Sequence, residues 1–480
     1  MQQPAKKKPK ARLPRKPKAR LPRKPIDPPI SSILPTTTAP THHPPSLQAC
    51  SHLDISPPSV NVLLEPTQTA KRKTSASGCR AVNSYEFPLR ARLVRIYPTV
   101  DQQIIFRKWF AGKRFVYNQA VEYMNKVPEC SLKELRNHFF KEKKYTQPHE
   151  WLVDIPYDIL DAAFHDLIKA RAAIQAKNKL RKQRGQTYIK YTFQFRTRRD
   201  PQQVIEIRKR WWNLNEKSKS QFAPLFGPRV TKRRANITLP ESLQTDILLR
   251  YDRLGRYFLC IPQQIKPHDM KEAPINHHST IALDPGVRTF QTCYDADGMS
   301  TEWGCGDMNG LFRLCYSADK LQTKISEKGI KYQQRRRRRK ALYRINEKIR
   351  NRVKELHCKL AVWLCRNYKV ILLPKFETQN MIRRGCRKLR SKTARAMCTW
   401  SHYKFQQLLK QKTQLYPWCK LIICDEAYTS KTCGQCGIIH SKLGGNKLFK
   451  CPSCDYTADR DISASRNILL RYLTLNKVRL

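Results

Sequence analysis

The sequence predicts a multidomain α+β protein. It comprises a disordered N-terminal tail, a first half mixing strands and helices, an α/β second half and a small metal ribbon. Three observations carry this. Residues 1–66 hold 15 of the 31 prolines, mixed with Ser, Thr and Lys, so this stretch is too poor in apolar residues to bury a core. Two apolar runs, Ile281–Leu283 and Val370–Leu373, are each followed by an acid and read as buried strands of an α/β sheet. Four cysteines lie in two Cys-x2-Cys pairs separated by 14 residues, the spacing of a zinc ribbon.

Charge narrows the function. The 480 residues carry 94 Lys+Arg against 37 Asp+Glu, a formal net charge of +57, and removing residues 1–25 still leaves +46. A compact body so charged repels itself unless it meets a polyanion, and nucleic acid answers better than a membrane surface. No apolar run approaches the ~18 residues of a membrane-spanning helix, and no apolar stretch follows the basic N-terminus as in a secretory signal. The 17 cysteines are odd in number and scattered, as thiols in a reducing compartment. These features argue against a secreted protein, a membrane protein and a disulfide scaffold.

The tail contains Lys-Ala-Arg-Leu-Pro-Arg-Lys-Pro twice, at 10–17 and 18–25, and the run Lys6-Lys7-Lys8-Pro9-Lys10. That run suits a nuclear-import signal and equally a solvated basic tail. Order begins near Tyr85. Leu89 to Tyr97 alternates as a strand stopped by Pro98, and a helix follows from Val100 to Met124. A second helix starts with Pro156 in its first turn and Asp154 as cap, then turns basic after Lys177. Residues 188–262 read as β, with Asp252-Arg253-Leu254-Gly255 as a turn. Within them, basic and aromatic residues interleave from Tyr191 to Arg199, either to stack bases or as a half-buried strand.

Further on, Asp284-Pro285-Gly286 ends a buried strand, and Asp295-Ala296-Asp297-Gly298 makes a hairpin turn. Leu342, Ile345, Ile349, Val353, Leu356, Leu360 and Trp363 form the apolar stripe of a long helix. Arg335, Arg336, Arg337, Arg338, Arg339 and Lys340 precede it; on a helix they point all round the axis, which favours a phosphate backbone as neighbour. Glu377 follows the second buried strand. Cys433, Cys436, Cys451 and Cys454 are expected to close a tetrahedral structural Zn2+ site whose binding supplies the ribbon's folding energy. Asp459 and Asp461 open the next helix, where an acid is by default a cap.

The order of strand-end Asp, basic helix, strand-end Glu, zinc ribbon and helix-start Asp resembles the split RuvC nuclease of the transposon-encoded TnpB proteins and their eukaryotic relatives, the Fanzor proteins. Residues 85–473 carry the resemblance, through Arg95–Thr99, Arg114–Asn118, Ala282–Gly286, Phe376–Thr378, Tyr428–Cys433 and Asp459–Asp461. Thr393–Met397 and Trp400–Tyr403 resemble the Fanzor branch in particular. The resemblance implies a disordered tail over 1–82 and a WED-like β-barrel over 83–270 with an inserted helical recognition region at about 100–187. It further implies an RNase H-like RuvC core over 276–424, the ribbon over 425–458 and a C-terminal helix over 459–480. It implies an RNA-guided DNA endonuclease, monomeric with its guide RNA, that cleaves double-stranded target DNA in the nucleus. Asp284, Glu377 and Asp461 are the implied ligands of two Mg2+ ions, and Arg114, Tyr117 and Asn118 are implied nucleic-acid contacts. Asp459 is set aside, because the family's acid follows the Arg. Glu377 sits in the loop beyond its strand, and the Fanzor branch has moved its glutamate in some members. The competing readings are a non-catalytic nucleic-acid-binding regulator of transposition and an RNA-independent resolvase or transposase.

Overall fold

The computed structural model describes residues 89–476 apart from 142–148, 191, 213–224, 228–230, 274–277, 384–388, 442 and 445. The proline-rich tail, with its Lys6–Lys10 run, lies outside the described residues.

Strand β1 (Leu89–Ile96) ends before Pro98, and helix α1 (Val100–Lys126) begins at Thr99. Thr99 caps it reciprocally with Gln102: each side chain accepts the other's backbone N–H, at 3.3 and 3.0 Å. The short α2 (Leu132–Arg136) precedes α3 (Tyr157–Gln183). Pro156 stands one position before α3 rather than in its first turn, and Asp154 pairs with Lys108 of α1 rather than capping. Strands β2 (Gln202–Ile207), β3 (Ile247–Asp252) and β4 (Tyr257–Gln264) join β1 in an antiparallel sheet of order β1-β4-β3-β2. Alternate residues turn inward, among them Val94, Ile96, Ile205, Ile247, Leu249 and Leu259, and share one core with Phe106 and Trp109 of α1 and Phe164 and Leu167 of α3. Among the described residues of 188–199 none joins a sheet strand, contrary to the expected β reading.

The second half begins as an antiparallel meander of β5 (His278–Pro285), β6 (Gln291–Asp295) and β7 (Ser300–Trp303). Asp295 makes the expected turn, its carboxylate accepting the N–H groups of Asp297 and Met299 at 3.1 and 2.8 Å. A helical hairpin of α4 (Asp307–Ser326) and α5 (Tyr332–Asn367) leads to β8 (Tyr368–Pro374), which pairs parallel with β5. Helices α6 (Thr378–Ile382), α7 (Ser391–Trp400) and α8 (His402–Thr413) then bring the chain to β9 (Lys420–Cys424), parallel to β8. The order β7-β6-β5-β8-β9, three antiparallel strands followed by two parallel additions, is the RNase H-like arrangement.

Beyond β9 the chain makes a small hairpin, β10 (Leu448–Lys450) and β11 (Thr457–Asp459), and returns as α9 (Arg460–Asn476). Strand alternation divides the central residues between two faces. Ile281, Leu283, Ile371 and Leu373 pack against Leu360 and Leu364 of α5 and Trp400 and Phe405 of α7 and α8. Ala282 and Leu372 point the other way, onto Ile468 and Leu469 of α9, with Ile422 and Cys424 beside them. Each of those aliphatic side chains buried contributes roughly 1.5–3 kcal/mol. Helix α9 is thereby seated across the carboxyl ends of the central strands.

Candidate functional site

That seating brings three acids together. Asp284 has the parity of Ala282 and therefore faces α9. Asp461 lies in the first turn of α9, and Asp459 is its cap, accepting the N–H groups of Asp461 and Ile462 at 2.9 and 3.3 Å. Asp459 also pairs with Lys447 at 3.2 Å, so its carboxylate is already committed. Burial, then the neighbouring Asp461 and Glu426, push Asp284 up to about 7, with Arg460 opposing. Burial and then Asp459 raise Asp461, while burial and then Asp425 raise Glu426. All three ionised forms are thus disfavoured by desolvation and like charge, which a hard divalent cation would relieve. The donor set fits Mg2+, which takes carboxylate, phosphate and water oxygens. The cluster is open: among the described residues, only the four cysteines bring three or more His, Cys, Asp or Glu ligand atoms within 4.8 Å of one another.

Glu377 is a correction. It is exposed, held by Lys375 at 2.7 Å and by the Asn380 amide, and Lys375 lowers its pKa rather than a neighbouring acid raising it. It lies three residues beyond the end of β8, in the N-cap position of α6, and is not among the charges that act on Asp284. Glu426 occupies the place expected of Glu377. The alternation Ile422, Cys424, Glu426 carries the α9 face of β9 two residues past its end. The signal for it is an apolar strand running into Asp425-Glu426 just before the first cysteine pair.

The ribbon beside this cluster is built for metal. Cys433 Sγ lies 3.7 Å from Cys454 Sγ, and Cys436 Sγ 3.6 Å from Cys451 Sγ. Four thiolates at a Zn–S distance of ~2.3 Å around a tetrahedral ion stand about 3.8 Å apart, so the set fits Zn2+. Backbone N–H groups aim at the sulfurs: Gln435 at Cys433, and Ser453 and Cys454 at Cys451, each at 3.4 Å. Burial pushes the Cys451 thiol up, but the latter two N–H groups and the neighbouring thiols hold it down at about 6, toward the ligating thiolate. Gly437 takes φ 75°, a left-handed turn suited to glycine. Helix α9 grips the base of the ribbon. Asn467 Nδ2 donates to the carbonyls of Thr429 and Thr432 at 2.9 and 2.8 Å, and Arg466 donates to that of Gly434 at 2.7 Å.

The expected nucleic-acid contacts divide. Arg335 and Arg338 turn back on the carboxyl end of α4, donating to the carbonyls of Glu327 and Lys324 at 3.3 and 2.7 Å, where a cation complements the helix dipole. Arg339 is half-buried, and Arg336, Arg337 and Lys340 are the members of the run that face solvent or lie near it. The first-half residues serve the fold. Arg114 donates to Gln203 at 2.9 Å, and Tyr117 is buried beneath the Arg196 guanidinium, 3.8 Å above its ring. Asn118 exchanges two hydrogen bonds with the backbone of Arg196, at 2.7 and 2.9 Å, and Asn178 does the same with Ile189, at 3.0 and 3.1 Å. These amides clamp the segment between them, leaving Lys190, Arg198 and Arg199 exposed.

Comparison with known proteins agrees with this architecture. Three family models match: a helix-turn-helix domain of the OrfB/IS605 type over residues 89–131, a probable transposase of the same type over 261–385, and the Cas12f1-like TNB domain over 402–468. In this chain residues 89–131 hold β1 and α1 rather than two helices joined by a turn. A putative transposase of Paramecium bursaria Chlorella virus 1 is 29% identical over 406 residues, covering 80% of this chain and 87% of its own length. A TnpB-like protein of Acanthamoeba polyphaga mimivirus is 22% identical over 84% of this chain and 77% of its own. The putative RNA-guided DNA endonuclease InsQ of Escherichia coli (strain K12) is 24% identical over 79% and 92%. Among solved structures, Cas12f1 in its complex with sgRNA and target DNA aligns at 16% identity and TM-score 0.30, covering 79% of this chain and 98% of that one. The chain is thus similar to TnpB-like and IS605-type transposases over about four fifths of its length, and to the Cas12f1-like TNB domain over residues 402–468.

Proposed function

We propose that this protein is a Fanzor-type RNA-guided DNA endonuclease that binds a guide RNA and cuts complementary double-stranded DNA. The observation that carries the reading is the convergence of Asp284, Glu426 and Asp461 at the open ends of an RNase H-like sheet, beside a four-cysteine ribbon. Relatives named as putative RNA-guided DNA endonucleases support it. In this reading Asp284, Glu426 and Asp461 hold two Mg2+ ions. When bound, these ions supply the activation of water and the stabilisation of the leaving oxygen in phosphodiester hydrolysis. The chain's own part is to fix the carboxylates: β5 and the end of β9 present two of them, and α9, capped by Asp459, presents the third. Arg460, whose charge opposes the acids, donates to the Gly444 carbonyl at 2.7 Å. Residues 83–270 would hold the guide RNA, Arg336, Arg337 and Lys340 would face backbone phosphates, and Lys6–Lys10 would direct a monomeric ribonucleoprotein to the nucleus.

Substitution separates the acids. Asp284→Asn and Glu426→Gln are each expected to lower the Mg2+-dependent cleavage rate at least ~1,000-fold while leaving RNA binding intact, since each removes a ligand charge. Glu377→Gln is expected to stay within about twofold, because it removes only an exposed ion pair of small worth. Single-turnover cleavage by the protein with its co-purified RNA is the measurement. Loss of cleavage in Glu377→Gln with retention in Glu426→Gln would overturn the assignment.

A further inference from the structure

Tyr428 lies two residues beyond Glu426 and adopts φ 65°, in the left-handed region that a bulky L-residue rarely enters. The surrounding backbone enforces this. The Tyr428 carbonyl accepts the N–H groups of Lys431 and Thr432 at 2.9 and 3.0 Å and the Thr432 hydroxyl at 2.9 Å. The Glu426 carbonyl accepts the N–H of Thr429 at 3.2 Å and its hydroxyl at 2.9 Å. Asn467 of α9 takes the next carbonyls, those of Thr429 and Thr432. A glycine or asparagine would satisfy the same turn with less strain. Packing does not repay the strain either. Tyr428 is 63% exposed, and its ring stacks on no other aromatic ring among the described residues. An unfavourable backbone, fixed by its hydrogen bonds, that turns a large aromatic ring out into solvent beside a candidate active site points to a ligand outside the fold.

We infer that Tyr428 is a stacking platform for an unpaired nucleobase of the DNA strand next to the phosphodiester that enters the Asp284–Glu426–Asp461 cluster. The inference rests on the nuclease reading above. A planar, uncharged ring accepts the face of any base without reading its sequence, as a guided enzyme requires. The fixed backbone turn matters because a base stacked beside the cluster would hold its phosphate in line with the acids. Tyr428 is in this sense a positioning residue.

Four variants of the full chain, each with its co-purified RNA, test this: Tyr428→Phe, Tyr428→Ala, Tyr428→Gly and Tyr428→Asn. Base–aromatic stacking converts to a roughly tenfold to hundredfold loss of single-turnover cleavage in the Ala, Gly and Asn variants, with Phe within about threefold of wild type. Tyr428→Gly and Tyr428→Asn should melt at or above the wild-type temperature, since they relieve the backbone. A Gly variant that cleaves like wild type shows the residue to be only a turn, and a Phe variant as slow as Ala shows the hydroxyl to be the working group; either overturns the proposal. A second readout needs no cleavage. With target DNA carrying 5-iododeoxyuridine near the cut, in buffer with neither added Mg2+ nor chelator, irradiation should attach the strand to residue 428 in wild type and not in Tyr428→Ala. Attachment elsewhere only would sink the stacking idea. Failure of wild type to cut DNA would fault the nuclease reading instead.

Discussion

The Asp284 carboxyl ends a buried strand with Asp461 and Glu426 for neighbours, so ionising it works against desolvation and two like charges. Its folded pKa of about 7 stands above the ordinary 3.8, which makes its stabilising contribution complete only below about pH 3.8 and lost as pH rises toward 7. In metal-free protein this single group lowers stability across that window by on the order of 2–4 kcal/mol. Two buried histidines that sandwich Phe290 act oppositely. Burial lowers His357 to about 4 and His402 to about 3, so their contribution is present above pH 6.5 and lost on acidification. The histidine effect is common to metal-free and metal-loaded protein, whereas the Asp284 effect is not. Melting temperatures without and with added Mg2+, in the absence of chelator, should therefore differ more at pH 8 than at pH 5, and Asp284→Asn should flatten the difference. Equal stabilisation at both pH values would contradict the carboxylate site.

At the scale of elements, α9 joins the two halves of the site. Its apolar face seats on β5 and β8, its first turn supplies Asp461, and Asn467 and Arg466 hold the ribbon base. Close approach is needed there: a Cβ on Gly434 would meet Arg466 Nη1 at 2.5 Å. The ribbon keeps little apolar core of its own beyond Phe449, so a metal bound by its four cysteines would supply folding energy. About one zinc per chain is expected by metal analysis. Stripping it with a strong chelator should make residues 425–458 cleavable by protease, while β5–β9 stay protected from hydrogen exchange. A ribbon equally resistant with and without chelator would refute the metal's role. Much of this is legible in the sequence. The cysteine spacing, the buried strands and the acid after Arg460 stand where sequence patterns put them. Glu377 misleads because its motif position does not show the loop that pairs it with Lys375 and Asn380, while Glu426 is concealed among ordinary surface acids. The arginine run misleads because a helix shares its faces between neighbours, and a sequence does not say that α4 lies alongside. The Asn118 and Asn178 clamps join residues 78 and 11 positions apart, beyond any local pattern.

The whole molecule joins a strongly basic body to a small acidic centre. The chain carries a formal net charge of +57, while Asp461 and Glu426 act as neighbouring charges on Asp284; in the proposed function a nucleic-acid backbone drawn to the basic surface would most need a cation there. In the proposed function, sequence is delegated to base pairing, so the target would change with the RNA while the protein stays the same. The direct measurement is guide exchange. The RNA bound to purified protein is sequenced, its target-pairing segment is replaced, and cleavage of two DNA duplexes is followed in Mg2+. The account predicts that cutting moves to the duplex complementary to the new segment and disappears with Asp284→Asn. Cutting that ignores the exchange, or that persists in RNA-free protein, would contradict it.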